Sequence, residues 1–343
     1  MNRIHKIFLI ALSFLVLSSC KEKVEQASFG PLPTAEEVSW QKLEYLMSIE
    51  PDYSHYDAIT PAVLGQWVKT AKSAGMRGII LNIDGSIAEG KTIRRMDKIC
   101  NKSSLRLYTY PIQDSVFKNG NELLKGGDSW SPADLEGEGT WQPKNVFIDL
   151  DSAAYDEMKP EDLFDVYLNS VGNNGTLIVN VSLAENGRVE SSDSALLVDF
   201  KNLLYETFHV DYAKMSRCLS EDVRKMKPRY AASNIVDGRY DTYWTTDDSL
   251  HTASFTVYFM RNRVIGGIMI QEYIPMGQRV KSFNVEFRED ENAEWKEICS
   301  GTTIGYKKML LFNPVEAAQV RFNILDSYAS PQINNVAIFA PSK

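Results

Sequence analysis

Carboxylates are the side chains of this sequence best suited to chemistry. Asp84, Asp114, Glu138, Asp149 and Asp151 are candidates for acid/base or nucleophilic work. Two carboxyl groups that share work on one bond must be held close together on rigid elements. Each candidate also has a plainer reading. Asp84 before Gly85 is a turn residue, Asp114 before Ser115 caps a helix, and Glu138, Asp149 and Asp151 sit in acidic surface stretches. Other chemistry is poorly supplied. His55, His209 and His251 are far apart and lack HxxxH or HxH spacing, which argues against a transition-metal site. Cys100, Cys218 and Cys299 form no CxxC pair and read as buried apolar thiols.

The N-terminus offers a different reaction. Asn2-Arg3-Ile4-His5-Lys6 is a basic start, Ile7 to Leu17 is an apolar run, and Leu17-Ser18-Ser19-Cys20 ends it. A run this short does not span a membrane and reads as a secretory signal. With cysteine at its end it resembles a bacterial lipoprotein signal, in which Cys20 is lipidated. Lys21-Glu22-Lys23 resembles the export tag of surface lipoproteins in Bacteroidetes-like bacteria. The expected organisation begins with a signal peptide at 1–20 and a polar tether at 21–34 containing Gly30-Pro31-Leu32-Pro33. The expected location is the cell envelope, on the outer membrane through the lipid anchor.

Elements that could position the carboxylates follow. Thr60-Pro61 opens a helix whose stripe is Val63, Leu64, Trp67, Val68 and Ala71, and Gly75 ends it. Strands are predicted at 78–83, 105–110, 145–150 and 176–181, with helices at about 91–102, 160–172 and 191–208 between them. This is α/β alternation with parallel strands. A full barrel takes eight strands and about 250 residues, more than the span 35–212 holds. From residue 213 the texture becomes short alternating β runs at 254–259, 264–271, 282–288, 308–312, 320–325 and 335–339, the pattern of an antiparallel sandwich. At 44% hydrophobic and 11% aromatic the chain can fill two cores, and a net charge of -8 without a basic cluster excludes nucleic acid as a partner.

Several motifs carry a resemblance. Ala231-Ala232-Ser233-Asn234, Asp237-Gly238-Arg239-Tyr240-Asp241-Thr242-Tyr243-Trp244, Gly277-Gln278-Arg279-Val280 and Thr303-Ile304-Gly305-Tyr306-Lys307-Lys308 resemble the β-sandwich attached to α-L-fucosidases of glycoside hydrolase family 29. The Asp-Gly and Asp-Thr-Tyr-Trp elements are shared with discoidin-like (F5/8 type C) domains. Trp40 to Tyr45 resembles that family's opening helix, and Gln66-Trp67-Val68 with Ala74 to Gly85 its second strand–helix unit. Asp165 to Val181 resembles its last helix–strand unit, Glu185 to Val189 the turn after it, and Trp141-Gln142-Pro143 the segment before it. Fucosidases carry Lys-His-His-Asp-Gly-Phe after the second strand, whereas this chain reads Leu81-Asn82-Ile83-Asp84-Gly85-Ser86. No Trp-Phe-Asp-Gly-like segment follows Pro111.

The resemblance implies an α/β plus all-β fold. Residues 35–212 would form a truncated, incomplete (β/α) barrel-like domain, and residues 213–343 a discoidin- or jelly-roll-like sandwich. It implies a surface lipoprotein that binds or scaffolds a glycan, fucosylated in the first instance, without catalysis. The alternative is an active, retaining α-L-fucosidase with rebuilt carboxylates, of which Asp84 is the family-matched one. Tyr240, Tyr273 and Tyr306 are the candidate sugar-stacking residues. Asp237 and Asp241 are candidate ligands for a structural calcium, although the C-terminal strand carries Asn334-Asn335 where relatives often supply a carboxylate. Trp244 is expected in the core, and a protein partner would dock on the sandwich or complete the barrel.

Overall fold

The structure, a computed structural model, describes residues 44–51, 59–81, 91–109, 144–155, 157–214 and 216–342. Cys20, the tether, Asp84, Asp114, Glu138, His55 and Trp141 to Pro143 lie outside the described residues.

The first part is a parallel sheet under helices. Its strands are β1 (Tyr45–Ile49), β2 (Gly78–Leu81), β3 (Arg106–Thr109), β4 (Lys144–Asp149) and β5 (Gly175–Asn180). Between them run α1 (Pro61–Ser73), α2 (Lys91–Lys102) and α3 (Pro160–Ser170), and α4 (Ser191–Phe208) follows β5. Helix α1 starts where Thr60 Oγ1 accepts the Val63 N–H at 3.3 Å with Pro61 in the first turn, and it buries the predicted stripe. Gly75, at φ +73°, turns the chain out of it. The strand order is β3-β2-β1-β5-β4, every pair parallel. The last strand pairs with the first while sequence neighbours pair elsewhere, which is the order of an arc of a (β/α) barrel. One face of the arc packs Met47, Ile49, Ile79, Leu81, Leu177 and Val179 against the helices. The alternate residues Leu46, Ile80 and Ile178 lie on the other face with Tyr108 and Phe147. Tyr45 belongs to β1 and not to an opening helix.

The second part is the expected sandwich. Its strands are β6 (Arg217–Leu219), β7 (Trp244–Thr245), β8 (Ala253–Glu272), β9 (Val280–Arg288), β10 (Lys296–Gly301), β11 (Lys308–Ser327) and β12 (Gln332–Phe339). β8 and β11 are each one long strand that serves both layers. Their halves 253–258 and 319–324 pair with each other and adjoin β6 and β9, and β9 carries β10. The halves 263–270 and 308–317 pair in the other layer, where β12 and β7 continue from β8. Trp244 is fully buried against Phe255, ring centroids 5.2 Å apart, and Phe255 stacks on Phe322 at 5.0 Å. The indole N–H donates to the Asp222 carbonyl at 2.8 Å. Cys100 and Cys218 are buried free thiols, held up to about 12 by burial, while Cys299 is only half-buried.

Two of the singled-out motifs meet where the parts join. The α3–β5 turn Gly172-Asn173-Asn174 lies against Thr303 to Lys308. Asn174 Nδ2 donates to the Ile304 carbonyl at 3.0 Å, and its Oδ1 accepts the Lys307 N–H at 3.1 Å. Gly305 sits at φ +61°, and a Cβ there would fall 2.3 Å from Asn174 Oδ1, so only glycine fits. Lys307 Nζ pairs with Glu44 Oε1 at 2.7 Å, with side chains only 10% and 12% exposed.

Candidate functional site

A cleft of about 900 Å³ opens at the C-terminal ends of the parallel strands. Open α/β sheets and barrels place their ligands at this end because side chains there project from rigid strands on separate loops. Glu50 and Pro51 follow β1, Asp149 and Asp151 end and follow β4, Asn180 ends β5, and the turn 184–187 forms one wall. Asp149 and Asn180 are partners in the parallel register. Asn180 Nδ2 donates to Asp149 Oδ1 at 2.8 Å, and the same oxygen accepts the Asp151 N–H at 3.3 Å. Asn180 is only 6% exposed, and its Oδ1 has no hydrogen-bond partner among the described residues. A buried amide oxygen left this way costs free energy unless a water or ligand donates to it. Trp67 of α1 fixes the wall, its indole N–H donating to the Gly187 carbonyl at 2.8 Å.

Asp149 and Asp151 therefore belong to this cleft, and Asp149 is half-buried and hydrogen-bonded in it. Glu50, Asn180 and Glu185 were not read as site residues from the sequence. The signal for them was positional: each lies at or just after the end of a strand of the parallel sheet, or in the turn that follows.

Of the sandwich candidates, Tyr240 and Tyr306 come together beside Glu44. The Tyr306 hydroxyl is raised far above its ordinary value by burial and by the Glu44 charge, stays protonated and hydrogen-bonds to the Glu44 carboxylate. Tyr240 lies near the same carboxylate, its hydroxyl pushed up to about 12 by burial first and by Glu44 second. Both hydroxyls are directed into the junction of the two parts, so neither tyrosine stands free as a sugar platform. Tyr273 is different: its ring stacks on Tyr243 at 4.5 Å, Tyr243 leans on Tyr230 at 5.7 Å, and Arg229 covers Tyr230 at 4.6 Å. Asp237 and Asp241 are near in sequence but engaged. Asp237 accepts the Arg239 N–H and the Thr242 hydroxyl, both at 2.8 Å, and Asp241 takes the Arg239 guanidinium in a fork at 2.8 and 3.1 Å. In this arrangement both carboxylates are engaged by protein donors at an exposed turn.

Comparison with known proteins decides the lineage. Residues 218–338 match the F5/8 type C domain. Over 235 residues the chain is 27% identical to α-L-fucosidase 1 of Arabidopsis thaliana, covering 66% of this chain. The chain is similar in sequence to plant α-L-fucosidases. It spans less than half of that plant relative, 46% of its length. Among solved structures, a Bacteroides thetaiotaomicron protein provisionally named an α-L-fucosidase superposes with a TM-score of 0.72 at 18% identity, over 91% of this chain and 98% of that one. A Ruminococcus gnavus GH29 fucosidase in complex with fucose gives 0.65 at 16% identity, over 89% and 94%. These likenesses support the fold: a partial barrel-like sheet followed by an F5/8 type C sandwich.

Proposed function

We propose that this fucosidase homologue is an envelope lipoprotein, anchored through Cys20, that holds a fucose-type sugar in the cleft without cleaving it. The observation that carries the reading is the Asp149–Asn180 pair. A carboxylate oxygen and an unpartnered amide oxygen side by side offer two acceptors, which suits two neighbouring sugar hydroxyls that donate. Loss of hydrolysis is supported by the sequence: Leu81 to Ser86 lacks the lysine and both histidines of the family motif, and residues 35–212 are fewer than a full barrel typically takes. Calorimetric titration of L-fucose into the protein lacking residues 1–20 tests the reading. Saturable binding that Asn180→Ala weakens supports it, and no binding at millimolar sugar sinks it.

A second reading, retaining α-L-fucoside hydrolysis, is favoured by Glu50, Asp151 and Glu185, which line the same cleft as Asp149 and supply candidates for a second carboxyl. It requires that one of them work together with Asp149, or with the family-matched Asp84.

A further inference from the structure

A second cavity, of about 710 Å³, lies on the sandwich itself where the chain enters it. It forms because β8 leaves its ladder between Tyr258 and Arg263, opposite Gln319 and Ala317 of β11. Residues 259–262 bulge outward there and leave Met260 wholly exposed. Arg217 of β6 lies over the Tyr258 ring at 5.9 Å and Arg263 over the Tyr212 ring at 4.8 Å. Neither guanidinium has a carboxylate at ion-pair distance among the described residues. The acidic residues around the cavity are mostly held by hydrogen bonds or an ion pair of their own. Asp211 Oδ1 accepts the N–H groups of Ala213 and Ile338 at 2.8 and 3.0 Å and lies near Lys214. Glu289 pairs with Lys296 at 3.1 Å, and Asp290 Oδ1 closes its own turn with Asn292 and Ala293. Glu291 at the rim adds a further negative charge, and the backbone hydrogen bonds of Asp211 and Asp290 leave theirs in place opposite Lys214, Arg217 and Arg263. Gln319, buried under the cavity, gives its Oε1 to the Arg288 fork at 2.7 and 2.9 Å, which leaves its amide nitrogen to donate.

We infer that this cavity binds an anionic sugar unit, one bearing a carboxylate or a sulfate, so that the sandwich reads charge on a glycan. Two guanidiniums without a carboxylate at ion-pair distance among the described residues line one cavity, and a planar fork matches an oxyanion in two hydrogen bonds. The tyrosine rings that the arginines cover add faces and edges on which a pyranose packs. The choice of a sugar rests on the glycan-binding reading above, whereas the choice of charge rests on this cavity alone.

The test is titration of the protein lacking residues 1–20 with a galacturonate oligomer, a sulfated fucose oligomer and neutral L-fucose. The expected result is that one anionic oligomer binds, loses about tenfold or more in affinity in Arg217→Ala/Arg263→Ala, and weakens as salt rises. Glu291→Gln should tighten it severalfold, and Arg217→Lys/Arg263→Lys should retain part of the binding, which guards against a simple folding defect. Which oligomer binds separates carboxylate from sulfate. Absence of binding by both, or affinity unchanged in the double alanine variant, overturns the inference. L-fucose binding that persists while both anionic oligomers fail overturns this site and leaves the cleft reading standing. The converse result would sink the cleft reading alone.

Discussion

Asp149 and Asn180 face each other across one rung of the β4–β5 pairing, and the cleft depends on that rung. Replacing Asn180 by alanine removes the amide that holds Asp149 and the acceptor beside it. The expected outcome is an L-fucose affinity lowered about tenfold, as befits one hydrogen-bonded pair, with thermal stability nearly unchanged, read by calorimetry and a melting curve. The pair was not legible in the sequence. Asp149 stands in an acidic run and Asn180 in an apolar one, and only the parallel register brings them together. Tyr240 and Tyr306 show the opposite case: their type suggested a sugar platform, but Tyr306 hydrogen-bonds to Glu44 before β1 and Tyr240 is packed near the same carboxylate. Aromatic residues with a polar tip serve junctions as readily as ligands.

The elements that matter most are the two turns that lock the sheet to the sandwich. Lys307→Met would leave Glu44 buried and unpaired, at a cost of about 3–5 kcal/mol, and Gly305→Ala would force a Cβ onto Asn174. Denaturant unfolding should show both as large losses, with Ser300→Ala, on an exposed strand position, as a neutral control. The pH dependence has two parts of opposite sign. Burial raises the Glu44 carboxyl, but Lys307 and the Tyr306 hydroxyl outweigh it and hold it below its ordinary 4.5. Its contribution is therefore present above 4.5 and lost as pH falls through the lower folded value. Glu272 behaves inversely. Its oxygens accept the N–H groups of Arg279, Val280 and Gly305 at 2.7, 2.9 and 2.7 Å, yet burial dominates and pushes it up to about 7. Its contribution is full below 4.5 and declines by ~3 kcal/mol as pH rises through 7. Stability measured from pH 4.5 to 8 should fall with a slope that Glu272→Gln flattens. Most elements were readable beforehand because period-2 and period-3.6 apolar patterns mark them. β10 escaped notice because both of its faces are partly exposed. β8 and β11 read as two strands each because their bends interrupt the alternation.

At the scale of the molecule, the proposed lipid anchor, sugar cleft and charge-reading sandwich belong to one chain. The anchor predicts that a clickable palmitate analogue fed to expressing bacteria labels the wild-type chain and not Cys20→Ala, read by in-gel fluorescence. The central claim, however, is binding without hydrolysis. The measurement that tests it most directly is release of chromophore from an aryl α-L-fucoside by the protein lacking residues 1–20, beside an intact fucosidase and with L-fucose binding measured on the same sample. The account predicts saturable fucose binding and no turnover at high protein concentration. Turnover that Asp149→Asn or Asp84→Asn abolishes would contradict it and establish a rebuilt catalytic pair.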